Sequence, residues 1–288
     1  VIIGSLKNGT LCVKEGESFF ETDTTALHFL KSGNFNIVKP AVNPEWGPPI
    51  PESFCFLDGS AFLNHVELAR RARGAEIPKD LYTIPLMYQG ISAPLLGPND
   101  PVKLRNFEWG LDFEAEICVI TDFVPEGVTP SDALNHVKFF TMFNDWTYRN
   151  LLPREAETGF GFIQSKPASS FAPFLVAPDK LPIKDGKLFT TIKVYRSGEL
   201  YGELDTGEMF FCFGTLISHA SKTRSLPAGS IIGSGTISNK EGNGYGCIAE
   251  KRAVEMIKQK DNLTPFLDVG EEVVIESDVF GEIRARVI

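Results

Sequence analysis

Long apolar runs are missing from this chain of 288 residues: stretches such as Met209–Phe213 fall far short of the roughly 20 residues that cross a bilayer. No membrane-spanning helix is expected. Positive charge is scarce as well, with 28 Lys plus Arg against 37 Asp plus Glu and a net charge of −9. The one dense basic run, Arg70, Arg71 and Arg73, lies between Glu67 and Glu76. Phosphate backbones are held by clustered cations, so the charge balance argues against a nucleic-acid partner. The five cysteines, Cys12, Cys55, Cys118, Cys212 and Cys247, are an odd set without CxxC spacing. They suit neither a disulfide framework nor a structural zinc site, and most have apolar neighbours. They read as buried free thiols of a cytoplasmic protein. The first residues, Val-Ile-Ile-Gly, carry no basic segment and no long apolar stretch, so no secretory signal is expected there.

Helix signals are few. In Ala61–Arg73, Ala61, Phe62, Val66, Ala69 and Ala72 recur at helical spacing and Gly74 supplies a stop. Pro130–Phe140 is a second candidate, with Ser131 as a cap. Gly214–Lys222 and a short Glu250–Ile257 complete the set. The rest reads as strand and loop, with strands at Leu111–Thr121, Phe174–Val176, Thr190–Tyr195, Ser230–Gly233, Glu272–Ser277 and Glu282–Val287. There is no regular βαβ alternation and no internal repeat, which leaves a β-rich α+β class. The Pro-rich stretch from Asn43 to Pro51 marks a boundary, so residues 1–49 are expected to form a small N-terminal domain ahead of a domain spanning 50–288.

Several segments could carry chemistry. In Leu111-Asp112-Phe113-Glu114-Ala115-Glu116-Ile117, a strand's period of two puts Asp112, Glu114 and Glu116 on one face, about 7 Å apart. Such a row repels itself unless water screens it or a hard divalent cation sits against it; the spacing leaves both open. Asp145, inside Phe143-Asn144-Asp145-Trp146-Thr147-Tyr148-Arg149, is either a metal ligand or the ion-pair partner of Arg149. Asp58 lies at an expected turn seven residues before His65, near a helix start; local roles as turn former and surface histidine compete with acid–base chemistry. Gly233-Ser234-Gly235-Thr236-Ile237-Ser238 lacks a following Walker lysine, which disfavours a nucleotide loop and leaves a carboxylate-binding loop. Lys166 is a lone cation in apolar and small surroundings, for which a snorkelling surface lysine is the competing role.

Taken together and in this order, these segments resemble the fumarylacetoacetate hydrolase family over roughly residues 50–288. The resemblance implies the family's mixed β-sandwich or β-roll and a homodimer. It implies a divalent cation, Mg²⁺ first with Ca²⁺ or Mn²⁺ as alternatives, held by Asp58, Glu114, Glu116 and Asp145. It makes His65 the general base and Glu250 its orienting carboxylate. Arg149 and Lys166 match cations that face an oxyanion, and Tyr88 and Thr236 match substrate-binding residues. Asp112 matches no ligand and is expected to stand behind the site. Leu152 occupies the position, three after Arg149, where the hydrolases carry Gln. The implied activity is C–C bond hydrolysis in a diketo acid such as fumarylacetoacetate or an acylpyruvate. Decarboxylases, isomerases and hydratases of 2-oxo acids share the carboxylate triad and are the neighbouring alternative, and a non-catalytic β-rich binding protein is the third.

Overall fold

The segment richest in β-formers makes the longest strand. Aromatic and β-branched side chains fill Val137–Tyr148, and in the computed structural model this stretch is one twelve-residue strand, buried except at Lys138. The structure describes residues 1–91 and 93–288. The helix expected over 130–140 therefore stops at Ala133, and a 3₁₀ turn at Leu134–His136 leads into the strand, because pairing with a neighbouring strand outweighs weak helical spacing.

In chain order the strands are β1 (Ile2–Ser5), β2 (Leu11–Glu15), β3 (Ser18–Thr22), β4 (Ile37–Pro40), β5 (Phe56–Gly59), β6 (Met87–Gln89), β7 (Leu95–Leu96), β8 (Leu111–Asp112), β9 (Ala115–Thr121), β10 (Val137–Tyr148), β11 (Ala168–Phe171), β12 (Leu175–Val176), β13 (Ile183–Lys184), β14 (Lys187–Leu188), β15 (Thr191–Arg196), β16 (Glu199–Asp205), β17 (Ile231–Gly233), β18 (Asn243–Gly244), β19 (Glu272–Ser277) and β20 (Gly281–Arg286). The helices are α1 (Ala26–Ser32), α2 (Leu63–Ala72), α3 (Pro130–Ala133), α4 (Leu152–Thr158), α5 (Phe213–Ala220) and α6 (Ile248–Ile257). None of the described helices is long and apolar enough to cross a membrane.

A 13-stranded mixed sheet runs β4-β3-β2-β1-β12-β10-β9-β17-β5-β6, with β8 and β11 attached to β10 and β7 to β11. A five-stranded sheet, β18-β16-β15-β19-β20, and the β13-β14 hairpin complete a sheet-rich α+β fold. The N-terminal strands continue the large sheet through the pairing of Ile2 with Val176. Behind the sheet's centre Phe56, Phe143 and Phe171 form a buried aromatic cluster, Phe143 stacked on Phe171 at 5.4 Å. The five cysteines are free thiols: Cys12, Cys118 and Cys247 are buried, whereas Cys55 and Cys212 are half-buried.

The strand expected over 111–121 is broken. β8 pairs with the far end of β10, Asp112 opposite Thr147, and β9 begins at Ala115. Between them the Asn144 side chain accepts the Glu114 N–H at 2.9 Å, filling a ladder position with a side chain. With the break, Asp112 and Glu114 both meet Arg149, Glu114 also meets Lys166, and Glu116 has no hydrogen-bond partner among the described residues. All three acids are buried, so the face is not a solvated one.

After β17 the chain turns through Gly235 at φ +75°, where an added Cβ would meet the Gly59 carbonyl oxygen at 2.2 Å. Gly127 also has positive φ, +73°, but faces open space. Ala at Gly127 should cost about 1–2 kcal/mol, the left-handed penalty alone. Ala at Gly235 should cost more, because the clash adds to it. Denaturant unfolding of the two variants checks this, and equal midpoints would refute the packing argument.

Candidate active site

Cross-strand register assembles the acids. On β5, Asp58 pairs with Tyr88 of β6 on one side and Gly233 of parallel β17 on the other. Gly233 pairs in turn with Cys118 of β9, two residues beyond Glu116. Next in the sheet comes β10, where Asp145 lies opposite Ser169 of β11. Gly233 makes room in this row: a Cβ there would stand 2.2 Å from Asp58 Oδ1 and 2.9 Å from the Phe143 ring. Asp58 Oδ1 accepts the Gly235 N–H at 3.1 Å.

Asp58, Glu116 and Asp145 are all buried, and each brings a carboxylate oxygen within 4.8 Å of the others. Tyr88 and Ser169 donate their hydroxyls to Asp145, both at 2.7 Å. Neither Glu116 oxygen has a hydrogen-bond partner among the described residues. Burial, then the charges of Asp58 and Glu114, push Glu116 well above the usual carboxylate range. Burial and the Asp145 charge push Asp58 up to about 7. Buried carboxylates without partners are costly, and a donor set made only of carboxylate oxygens suits a hard divalent cation. The residues fit such an ion.

Glu114 is turned away from this trio. Its carboxylate lies 2.5 Å from Lys166 Nζ and 2.8 Å from Arg149 Nη2. Burial works against its charge, but Lys166 and then Arg149 outweigh that and hold it well below the usual carboxylate range. Lys166, itself buried, also reaches Asp145 at 2.7 Å, so it is no surface lysine. Arg149 donates its Nε–H to Asp112 at 2.7 Å and does not pair with Asp145. Asp112 also accepts the N–H groups of Ile248 and Ala249 at the start of α6, at 2.8 and 2.9 Å. One buried carboxylate thus fixes both Arg149 and the helix that carries Glu250.

On the opposite wall, His65 lies in the first turn of α2, which packs against α6. Its Nδ1 is 3.7 Å from Glu250 Oε1. Ser238 donates its hydroxyl to Glu250, the Gly246 N–H reaches the other carboxylate oxygen at 3.2 Å, and Asn64 donates to Ser238 at 2.7 Å. Glu250 is therefore aimed by the Ser-Gly-Thr-Ile-Ser loop. A cleft of about 500 Å³ joins these walls. Asp58, Glu114, Glu116, His65, Glu250, Tyr88, Thr236, Arg149 and Lys166 all line it, and Asp145 stands behind Tyr88. The outer arm has an apolar stretch of Val66, Ala69, Leu152, Ala253, Met256 and Phe266, and Arg70, Arg73 and Arg252 line the cleft as well.

The residues that sequence reasoning passed over are Ser169, Ser238, Asn64 and Gly233. Ser169 and Ser238 lie inside segments already singled out. Asn64 is next to His65, and its partner is 174 residues away.

Residues 55–288 match the family model for the C-terminal part of fumarylacetoacetate (FAA) hydrolase. The oxaloacetate tautomerase fahd2 of Xenopus laevis, a mitochondrial protein, is 24% identical over 225 residues, 77% of this chain and 65% of that protein, so the match spans just under two thirds of the relative. Among solved structures, fumarylacetoacetate hydrolase from Exiguobacterium antarcticum superposes with a TM-score of 0.72 at 17% identity, covering 99% of this chain and 98% of that one. The 5-carboxymethyl-2-hydroxymuconate delta-isomerase of Mycobacterium smegmatis gives 0.71 at 16% identity, over 100% and 99%. With the matching sequence span, the shared fold and an acid cluster beside a histidine–carboxylate pair all on one chain, this protein belongs to the fumarylacetoacetate hydrolase family of enzymes.

Proposed function

We propose that the protein hydrolyses a C–C bond in a diketo acid of the acylpyruvate or fumarylacetoacetate type, with a divalent cation, Mg²⁺ first, as cofactor. The observation that carries this reading is the His65–Glu250 pair, 3.7 Å apart, in the same cleft as the buried acid trio. Asp58, Glu116 and Asp145 would hold the cation, with Glu114 as the fourth donor that the family resemblance implies. When bound, the ion supplies Lewis-acid polarisation of the two diketo oxygens and charge stabilisation for the departing enolate. His65 takes a proton from the water that attacks the carbonyl, and the Glu250 charge, 3.7 Å from Nδ1, would stabilise the imidazolium that forms. Lys166 and Arg149 face the developing oxyanion, while Thr236 and Tyr88 hold the substrate carboxylate. The apolar stretch of the outer arm favours a hydrocarbon tail on the acyl side.

A second reading, proton transfer without water, is favoured by Leu152. It lines the cleft where the hydrolases carry Gln, which removes one polar donor. A tautomerase or isomerase would use His65 to carry a proton between carbon and oxygen. Turnover of acylpyruvates in ¹⁸O-water separates the two: hydrolysis puts label into a product carboxylate, and isomerisation or decarboxylation does not.

His65→Ala should lower kcat by about 10²- to 10⁴-fold, the usual worth of a general base, while metal binding survives. Full activity in that variant would refute the assignment. Glu116→Gln should instead abolish the thermal shift with Mg²⁺ or Mn²⁺, a shift that reaches about 2.7 kcal/mol when the ion stands at 100 times its Kd. No shift in the native protein would favour a non-catalytic binding protein.

The pH dependence has a definite sign. In the unfolded chain Asp58 loses its proton near 4, whereas in the metal-free fold it holds it to about 7. Between these values the folded state binds the extra proton, so metal-free stability falls as pH rises through the window. A bound cation removes that penalty. The Mg²⁺-induced rise in melting temperature should therefore grow between pH 5.5 and 8, and should lose this growth in Asp58→Asn; melts of EDTA-treated protein with and without Mg²⁺ measure it.

A further inference from the structure

Beside the all-oxygen trio the structure holds a second cluster of different chemistry. His65 Nδ1, Cys247 Sγ and a Glu250 carboxylate oxygen all lie within 4.8 Å of one another. Cys247 is fully buried and Glu250 nearly so. The His65 Nδ1 atom is buried as well and has no hydrogen-bond partner among the described residues. Its approach to Glu250, 3.7 Å, is too long for a hydrogen bond. It matches the separation of about 3.3–3.8 Å between donors that tetrahedral zinc bond lengths impose. Cys247 caps the N-terminus of α6, three residues before Glu250, so the spacing on one helix turn presents both to His65 from the same side.

We propose that His65, Cys247 and Glu250 form a second metal site, for a thiophilic divalent cation of the Zn²⁺ class, whose occupation blocks the enzyme. A nitrogen, a sulfur and an oxygen donor form a borderline-soft set that selects Zn²⁺ or Co²⁺, whereas Asp58, Glu116 and Asp145 are a hard set suited to Mg²⁺. His65 and Glu250 line the cleft while Cys247 does not, so a fourth ligand such as water would reach the ion from the cleft side. Burial keeps the Cys247 thiol protonated in the metal-free state, with the neighbouring Arg149 charge working the other way. On binding, the S–H bond breaks, an S–metal bond forms and the proton leaves to solvent. The imidazole coordinates through a ring-nitrogen lone pair, and conversion of the thiol to a metal-bound thiolate releases one proton per ion. The bound ion then occupies the nitrogen that faces Glu250. The inhibitory consequence rests on His65 being the base proposed above; the site itself does not.

The test uses the whole protein saturated with Mg²⁺, so that the hard site is filled, and titrates it with Co²⁺. A thiolate-to-cobalt charge-transfer band should appear, saturate at one equivalent and accompany release of one proton. The band should vanish in Cys247→Ser and persist in Cys212→Ser. Sensitivity of turnover to Zn²⁺ should fall in Cys247→Ser by more than the roughly 10- to 100-fold that loss of a hydrogen bond supporting a metal ligand costs. Absence of the band in the native protein, or its persistence in Cys247→Ser, overturns the site; should that variant not fold, the native band and proton count decide. Absence of the band with His65→Ala still impaired removes the second site alone. A band together with a fully active His65→Ala keeps the site and removes both the inhibition and the proposed base.

Discussion

The ion pairs of Glu114 with Lys166 and Arg149 are the contact on which the rest of the site depends. Glu114 and Lys166 are buried and Arg149 is 12% exposed, and a buried charge without a partner costs several kcal/mol, so removing Glu114 takes a counter-ion from both cations at once. Lys166 bridges outward to Asp145 and Arg149 to Asp112, and Asp112 in turn ties down the first N–H groups of α6. The chain of contacts therefore runs from the central sheet to the helix bearing Glu250 without leaving charged or backbone groups. Tyr88, through Asp145, and Glu250, through the start of its helix, are both tied to this network.

The network exists because the strand carrying the acids breaks. An unbroken strand would put Asp112, Glu114 and Glu116 in one row, with the same surroundings and mutual repulsion. The Asn144 side chain replaces one rung of the ladder and gives the three acids separate roles: helix anchor, counter-ion of two cations, and, for Glu116, the member of the trio without a hydrogen-bond partner. Lys166 joins the ion pairs to the trio through Asp145. Gly233 and Gly235 are the matching concession on β17, where anything larger than hydrogen would fill the space used by the Asp58 carboxylate or the Gly59 carbonyl.

Much of this was legible in the sequence, and what was not has identifiable causes. Strands with unambiguous β composition, such as Glu272–Ser277, lie where expected. The helix expected over 130–140 failed because weak helical spacing overlapped a run of β-formers whose partner, β9, is visible only in three dimensions. The ion pair between Asp145 and Arg149 failed for a simpler reason. Residues four apart are neighbours on a helix but stand about 13 Å apart along a strand, so each found a non-local partner. Asp145 took Tyr88 and Ser169, 57 and 24 residues away. The acids were readable by type and order, whereas their pairing follows from sheet register. The boundary near residue 50 is a shift in composition, and across it the hydrogen-bonded sheet continues from β1 into β12.

The charge of the cleft follows from this pairing. Among its lining residues the acids Asp58, Glu114, Glu116 and Glu250 stand with Arg149 and Lys166, which already rest on carboxylates, and with Arg70, Arg73 and Arg252. These buried acids thus stand where an anionic diketo acid is proposed to bind. Burial first, and then the charges of neighbouring acids, raise Asp58 and Glu116. A divalent ion on the trio would offset the mutual repulsion of these acids, and Asp145 would then share its charge between the ion, Lys166 and the Tyr88 and Ser169 hydroxyls. On the proposed reading the ion must precede the substrate. That order follows from the pairing, because Lys166 and Arg149 are committed to Glu114, Asp145 and Asp112 and leave Asp58 and Glu116 without a cationic partner.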